Sequence, residues 1–332
     1  VTTETAHARV ERWLARRSYR AADYPLERLT TLRRAADADA GRGHGGVSVV
    51  LPAREVAATI GPILDALAPL RAAGVVDELV VVDAASQDGT AEIARERGAR
   101  VVQESGLLSE HGPARGKGDA LWRSLTATAG EIVVFVDADT ENFDDRFVRG
   151  LLGPLLEQPD VAFVKGAFRR PFKLGDTTVP DGGGRVTELV ARPLLNLHVP
   201  ELAGFVQPLA GEFAARRGLL EQLPFPVGYG VEIATLIDAH RLAGLDALAQ
   251  SDLGERQNRH QPLRALSAMA FAVMIAAERR VHERAVPPGE TATIALPDAG
   301  GLELRSVAVE ERPPLVSLRA GRQHGASGAA DA

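Results

Sequence analysis

The chain has 332 residues, 45% hydrophobic and 25% charged, a globular composition with room for one large domain or two small ones. It has no cysteine, which excludes disulfides and thiolate metal sites and leaves carboxylate, imidazole or carbonyl ligands for any metal. A formal net charge of -6 argues against nucleic-acid or anionic-membrane binding through the overall field.

The opening VTTETAHARVERW lacks the apolar stretch of a signal peptide, and no run approaches the ~18 apolar residues of a membrane span, so a cytoplasmic protein without membrane partners is expected. Residues 1–46 read as a helical, Arg- and Ala-rich extension ending in GRGHGG. From Val47 the texture changes to short β-branched runs: VSVVLPA (47–53), ELVVVDAAS (78–86), ARVVQES (99–105), EIVVFVDAD (131–139) and VAFVKGAF (161–168). Helical stretches at 59–74, 90–98 and 117–130 alternate with them, each ending at glycine. This alternation predicts an α/β fold with a mostly parallel sheet covered on both faces, and ligands collected at the carboxyl ends of its strands.

Beyond residue 170 the chain carries the glycine run DGGGRVTEL (181–189), the turn-rich PFPVGYGVEI (224–233) and a helix over 231–244. A long apolar helix is expected over 262–284, then strands in TIALP and LELRSVAVE, and a disordered tail over 321–332. The helix and the Pro-punctuated segment after it have enough apolar surface to suggest a homodimer, or else closure of the monomer's own core.

Asp137 and Asp139 end an apolar strand, which sets two carboxylates on a loop beyond a buried sheet, a good way to hold Mg²⁺ or Mn²⁺ against a diphosphate. A bare D-x-D also fits a solvated turn or a helix cap. Asp83 closes the second strand, and AASQDGT (84–90) after it can hold a ribose or base, or simply make a turn. Lys117 sits between two glycines in RGKGDALW, which suits close approach to a phosphate, though a surface lysine would look the same.

The ordered set LPA (51–53), VVDAAS (81–86), GKGDALWRSL (116–125), VFVDAD (134–139), GGGRVTELVARPLL (182–195), QPLAGEFAARR (207–217) and GYGVEI (228–233) resembles the mannosyl-3-phosphoglycerate and glucosyl-3-phosphoglycerate synthases, retaining GT-A glycosyltransferases. The resemblance spans about Val47 to Leu266. It implies a GT-A fold with a nucleotide-sugar half (47–170), an acceptor half (171–266) and a C-terminal helix and dimerisation segment (267–320). Pro52, Ala53, Glu55, Asp83 and Lys117 would then bind the donor, with Asp137, Ala138 and Asp139 at its ribose and diphosphate.

Gly184, Arg185, Val186 and Thr187 would cradle 3-phosphoglycerate, helped by Leu209, Ala210, Gly211 and Tyr229. Glu232 would lie near the transferred sugar and Arg256 would neutralise the leaving diphosphate, the pair forming the catalytic set. The family's metal-binding histidine falls in GERQNRHQPL (254–263), where Asn258 and His260 stand interchanged; imidazole chemistry favours His260 with Asp139 for the metal and leaves Asn258 to the acceptor or donor phosphates.

Glu55 is followed by Val56 where the family often has adjacent acids, so the base pocket departs from the pattern and GDP-mannose is the preferred donor here, with GDP-glucose beside it and UDP-glucose as the alternative. No carboxylate is securely placed as a nucleophile, so retention implies front-face attack. A polyprenyl-phosphate sugar transferase, a nucleotidyltransferase and a non-catalytic sugar-nucleotide-binding scaffold are the rivals; the intact Asp137, Asp139 and Arg185 speak against the scaffold.

Overall fold

Strands made of consecutive apolar residues cannot leave a face in water, and this chain buries them as interior members of one sheet. The computed structural model describes residues 5–38, 46–174, 177–179, 182–257, 261–282, 291–298 and 301–319. Expectations for Asn258, His260, most of GRGHGG and the 321–332 tail lie outside these residues.

Helix α1 (Ala6–Arg17), strand β1 (Ser18–Arg20) and helix α2 (Leu26–Ala38) come first. Strands β2 (Val47–Ala53), β3 (Glu78–Asp83) and β4 (Arg100–Gln103) then alternate with α3 (Ala57–Ala72), α4 (Thr90–Glu96) and α5 (Lys117–Ser124). Next come β5 (Ile132–Phe135), α6 (Arg146–Glu157), β6 (Phe163–Arg169) and a small hairpin of β7 (Phe172–Leu174) and β8 (Thr177–Val179). Helix α7 (Arg192–His198), β9 (Phe213–Arg216), α8 (Arg217–Leu220), β10 (Phe225–Pro226), α9 (Val231–Ala243), β11 (Leu248–Glu255) and α10 (Leu263–Val281) follow. A hairpin of β12 (Thr291–Asp298) and β13 (Gly301–Ala308), with β14 (Glu311–Arg312), completes the described elements.

One eight-stranded sheet in the order β1-β11-β6-β9-β5-β2-β3-β4 organises the molecule. All its pairings are parallel except those of β9, which runs antiparallel between β5 and β6. This is the mostly parallel GT-A sheet expected, flanked by helices on both faces. Neighbouring strand residues point to opposite layers: Val50, Val80, Val82 and Phe135 pack with Trp122, Ile233 and Leu236. Val49, Leu51 and Val81 pack instead with Leu64, Phe147 and Leu151.

Two segments join this sheet that the sequence placed elsewhere. Strand β1, within the supposed extension, pairs with β11, and Trp13 Nε1 donates to the Leu248 carbonyl at 2.8 Å. Trp13, Tyr24 and Leu29 are buried, so the segment 5–38 packs onto the core. Strands β9 and β11 belong to the stretch read as an acceptor half, yet both lie inside the main sheet. No helix among the described residues is long and apolar enough to cross a membrane.

The segment holding β14 is tied to α5 by a buried ion cluster. Asp119 accepts from Arg123 Nε at 2.9 Å and from Arg312 Nε and Nη2 at 3.0 and 2.8 Å. Burial alone would raise the Asp119 pKa, but the two guanidiniums outweigh it and hold it below the ordinary value. Glu104 meets the opposite outcome: burial, with the Asp119 charge added, pushes its pKa up to about 7, and its Oε1 is buried without a partner among the described residues.

A raised carboxyl pKa means that the folded protein keeps a proton the unfolded chain has released. The stability it contributes is full below about pH 4.5 and is lost as pH rises through about 7. Glu104→Gln keeps the group neutral at every pH. Urea denaturation from pH 4.5 to 8 is expected to show a smaller loss of stability in this variant, by on the order of 2–3 kcal/mol; equal slopes would show that Glu104 is ionised in the folded protein.

Candidate active site

The carboxyl-end rim of the sheet gathers charge from five parts of the chain. Asp137 and Asp139 lie just beyond β5, Glu212 just before β9, and Arg256 just after β11. Lys117 opens α5, and Glu232 lies in the first turn of α9. The antiparallel insertion of β9 brings Glu212 to this rim, since its start lies where its parallel neighbours end.

Arg256 is the hub. Its side chain is only 4% exposed, and its Nη2 donates to Asp137 at 2.8 Å and to Asp139 at 3.1 Å. Its Nε lies 2.9 Å from Glu212 Oε1 and donates to Thr140 Oγ1 at 3.2 Å. Lys117 pairs with Asp137 and, at 3.2 Å, with Glu232. Burial would lower the Lys117 pKa, but Asp137, Glu232 and Glu212 override it and raise it. Burial likewise opposes ionisation of Asp137, and Lys117 and Arg256 together hold its pKa well below the usual carboxylate range.

The two aspartates of D-x-D therefore differ. Asp137 is 15% exposed and committed to two cations, whereas Asp139 is 58% exposed and meets Arg256 through one oxygen. Asp139 is the one that offers a hard anionic ligand to solvent, which fits Mg²⁺ or Mn²⁺ better than a neutralised Asp137 does. Ala138 between them is buried and accepts from Thr59 Oγ1 at 2.6 Å, which fixes the loop.

Four contributors were not singled out from sequence. Glu212 is fully buried, and neither of its oxygens accepts a directed hydrogen bond among the described residues; burial raises its pKa against the pull of Arg256. Lys165, on β6, is also fully buried, and its Nζ donates to the Glu232 carbonyl at 3.3 Å and lies 5.2 Å from the Phe213 ring centre. Burial lowers its pKa to about 8. Thr140 braces Arg256, and Arg170 is close enough to feel Arg256, Glu212, Asp137 and Asp139. A single charged residue inside an apolar run, such as the lysine of VAFVKGAF or the glutamate of AGEFAA, was the available signal.

Gly211 belongs at the centre. A Cβ there would stand 2.5 Å from both Asp137 carboxylate oxygens. The glycines beside Lys117 act differently from expectation: they admit protein backbone. A Cβ on Gly118 would lie 3.0 Å from the Pro226 carbonyl carbon, and Asp119 N donates to the Val227 carbonyl at 3.2 Å. Arg256, expected at the leaving group, is buried with its Nε and Nη2 directed at three carboxylates.

The donor-side loops bind one another. Glu55, at φ 53, donates its N–H to Ser86 Oγ at 3.0 Å and accepts from Gln87 N at 2.9 Å. Asp83 is 1% exposed and accepts from Gln103 Nε2 at 2.7 Å and from Ser86 N at 3.3 Å. Pro52 is half-buried and Ala53 buried, the two closing β2 beside Asp83.

On the acceptor side, Gly184 takes φ 70 and Arg185 donates to the Gln261 carbonyl at 2.7 Å. Gly183 N donates to the Arg170 carbonyl at 2.9 Å, and a Cβ on Gly184 would lie 3.7 Å from Arg170 Cδ, so Arg170 packs against the glycine turn. Val186 and Thr187 are buried; Val186 packs in the core, and the Thr187 side chain lies against the Gly184 turn, where a Cβ on Gly184 would stand 3.9 Å from its Oγ1. Thr187 opens a π-helical turn, Thr187–Ala191, a distortion frequent at functional sites. Leu209 packs on the core, Ala210 is buried and Tyr229 is 49% exposed. Asn258 and His260 lie outside the described residues.

Residues 48–197 match the family described as glycosyl transferase family 2. A glucosyl-3-phosphoglycerate synthase of Mycolicibacterium smegmatis is 45% identical over 284 residues, 86% of this chain and 93% of the relative. The crystal structure of mannosyl-3-phosphoglycerate synthase from Rubrobacter xylanophilus is similar at 45% identity and TM-score 0.80, over 92% of this chain and 99% of that one. Glucosyl-3-phosphoglycerate synthase from Mycobacterium tuberculosis, crystallised with Mn²⁺, UDP-glucose and phosphoglyceric acid, is similar at 43% identity and TM-score 0.76, over 89% and 95%.

Proposed function

We propose, from the premise that this chain belongs to the glucosyl-3-phosphoglycerate and mannosyl-3-phosphoglycerate synthase family, that it transfers glucose from UDP-glucose to 3-phosphoglycerate with retention of configuration. The observation that carries the donor is the M. smegmatis glucosyl enzyme, matched over 93% of its length, supported by the M. tuberculosis structure with UDP-glucose bound. These favour glucosyl over the mannosyl transfer preferred from the Glu55–Val56 loop alone. GDP-mannose is kept as a second donor reading by the R. xylanophilus structure.

When bound, a divalent cation neutralises charge on the diphosphate; Asp139 would hold it, with His260 as the expected second ligand. Arg256 is a positioning residue that presents Asp139 and keeps Asp137 ionised. Lys117 and Glu232, paired at 3.2 Å, lie beside the transferred sugar, and the ammonium stabilises the departing phosphate side. Glu232 is held in its ion pair with Lys117 and Glu212 is sealed from solvent, which disfavours a double displacement and supports front-face attack by the acceptor hydroxyl. Arg185, Arg170 and the Gly184 N–H hold the acceptor's phosphate and carboxylate, while the Gly182 and Gly183 N–H groups fix the turn on the Val179 and Arg170 carbonyls.

UDP release from UDP-glucose should depend on 3-phosphoglycerate. In Arg185→Ala the KM for 3-phosphoglycerate should rise about 10- to 100-fold while the KM for UDP-glucose stays within about two-fold. Equal effects on both KM values would remove Arg185 from the acceptor site. UDP release that ignores the acceptor would overturn the proposed reaction.

A further inference from the structure

We propose that His198, Glu278 and His282 form a second metal site, separate from the transferase centre, that takes Zn²⁺ or a similar transition ion. His198 is the last residue of α7, while Glu278 and His282 stand four apart where α10 ends. One ligand atom from each residue lies within 4.8 Å of the other two. Glu278 Oε2 is 3.3 Å from His282 Nε2, and the two imidazoles meet edge to face with ring centres 5.1 Å apart.

The donor set decides the ion. Two imidazole nitrogens and one carboxylate suit Zn²⁺, and small rotamer changes bring such atoms to bonds of roughly 2.0–2.2 Å. Mg²⁺ and Ca²⁺ prefer all-oxygen sites. Residues at i and i+4 on one helix face are a recurrent metal-chelating pair.

The arginines next to Glu278 are turned elsewhere. Arg279 donates to the Val309 carbonyl, and Arg280 pairs with Asp238 at 2.7 Å and with Glu311 at 2.9 Å. Among the described residues Glu278 forms an ion pair only with His282, and no described guanidinium pairs with it. His282 is 49% exposed, which gives the ion an entry path and a water as fourth ligand.

Such an ion would join α7 to α10. Helix α7 continues from the Gly184–Ala191 segment, and α10 packs on α9, whose first turn holds Glu232. The site is thus a clamp on the layer behind the acceptor side, and it does not depend on which sugar is transferred.

Co²⁺ tests this, because a four-coordinate site gives intense visible absorption and an oxygen-rich six-coordinate site gives only weak bands. With the Asp139→Asn protein, which lacks the expected transferase ligand, Co²⁺ should still produce the intense bands at one equivalent. His198→Ala and His282→Ala, each placed in that background, should abolish them. On the parent chain the same two substitutions should leave Mg²⁺-supported transfer within about two-fold, and Zn²⁺ should raise the parent's Tm but not theirs. If His198→Ala fails to fold, the exposed His282→Gln carries the same test. Absence of intense bands, or bands that survive loss of either histidine, would overturn the proposal.

Discussion

Arg256→Met is expected to destabilise the protein by about 3–5 kcal/mol and to lower kcat/KM by about 10²-fold or more under conditions where it stays folded. The guanidinium is 4% exposed and is shared among Asp137, Asp139 and Glu212. Its removal leaves several carboxylates in a dry site with Lys117 as the nearest remaining cation, and like charges there repel. Arg256→Lys keeps the charge but loses the planar fork that reaches several acceptors at once. It should recover part of the stability and little of the activity, with a raised metal requirement because Asp139 is no longer held. Urea denaturation beside a metal titration of activity measures both. If the methionine variant is as stable as the parent and fully active, the hub role is wrong.

Gly211→Ala should give the second large effect, about a 10²-fold fall in kcat/KM with a stability loss of only about 1–3 kcal/mol. The added methyl would stand 2.5 Å from both Asp137 oxygens, so the carboxylate must turn and release Lys117 or Arg256. Lys117 can swing outward, but Asp137 can turn only by giving up one of its two cations. Gly218→Ala is the control: a Cβ there meets nothing within 4 Å, and this helical position should tolerate alanine or gain up to about 1 kcal/mol. Unchanged kinetics in Gly211→Ala would show that the Asp137 environment does not limit turnover.

The sheet was legible because strands such as VSVVLPA are apolar throughout, and its observed bounds, Val47–Ala53, match the run. Strand β9 was not, since FAAR is short and alanine-rich and reads as helix; its place is set by pairing with β5 on one side and β6 on the other. Strand β11, LAQSDLGE, carries polar residues that find specific partners, such as Gln250, whose Oε1 accepts from Val206 N at 2.9 Å. Strand β1 owes its position to Trp13 and Tyr24, and no periodicity over three residues could announce it.

In the site, Lys117, Asp137, Asp139, Gly211, Glu232 and Arg256 were all visible as residues, but their division of labour was not. Sequence spacing does not say that Asp137 is neutralised while Asp139 faces solvent, nor that Arg256 is buried. Those facts follow from which loop lies deeper at the rim. Glu212 and Lys165 went unread because burial of a charge among apolar neighbours is a tertiary event, visible only once β6 and β9 are side by side.

The most direct test offers UDP-glucose, GDP-glucose and GDP-mannose separately to the purified protein with 3-phosphoglycerate and Mg²⁺ or Mn²⁺, and follows the sugar product and its anomeric configuration by NMR. The account predicts α-glucosyl-3-phosphoglycerate from UDP-glucose at the highest kcat/KM, no product without a divalent ion, and loss of product in Asp139→Asn. A higher kcat/KM for GDP-mannose, product of inverted configuration, or full activity without metal would contradict it.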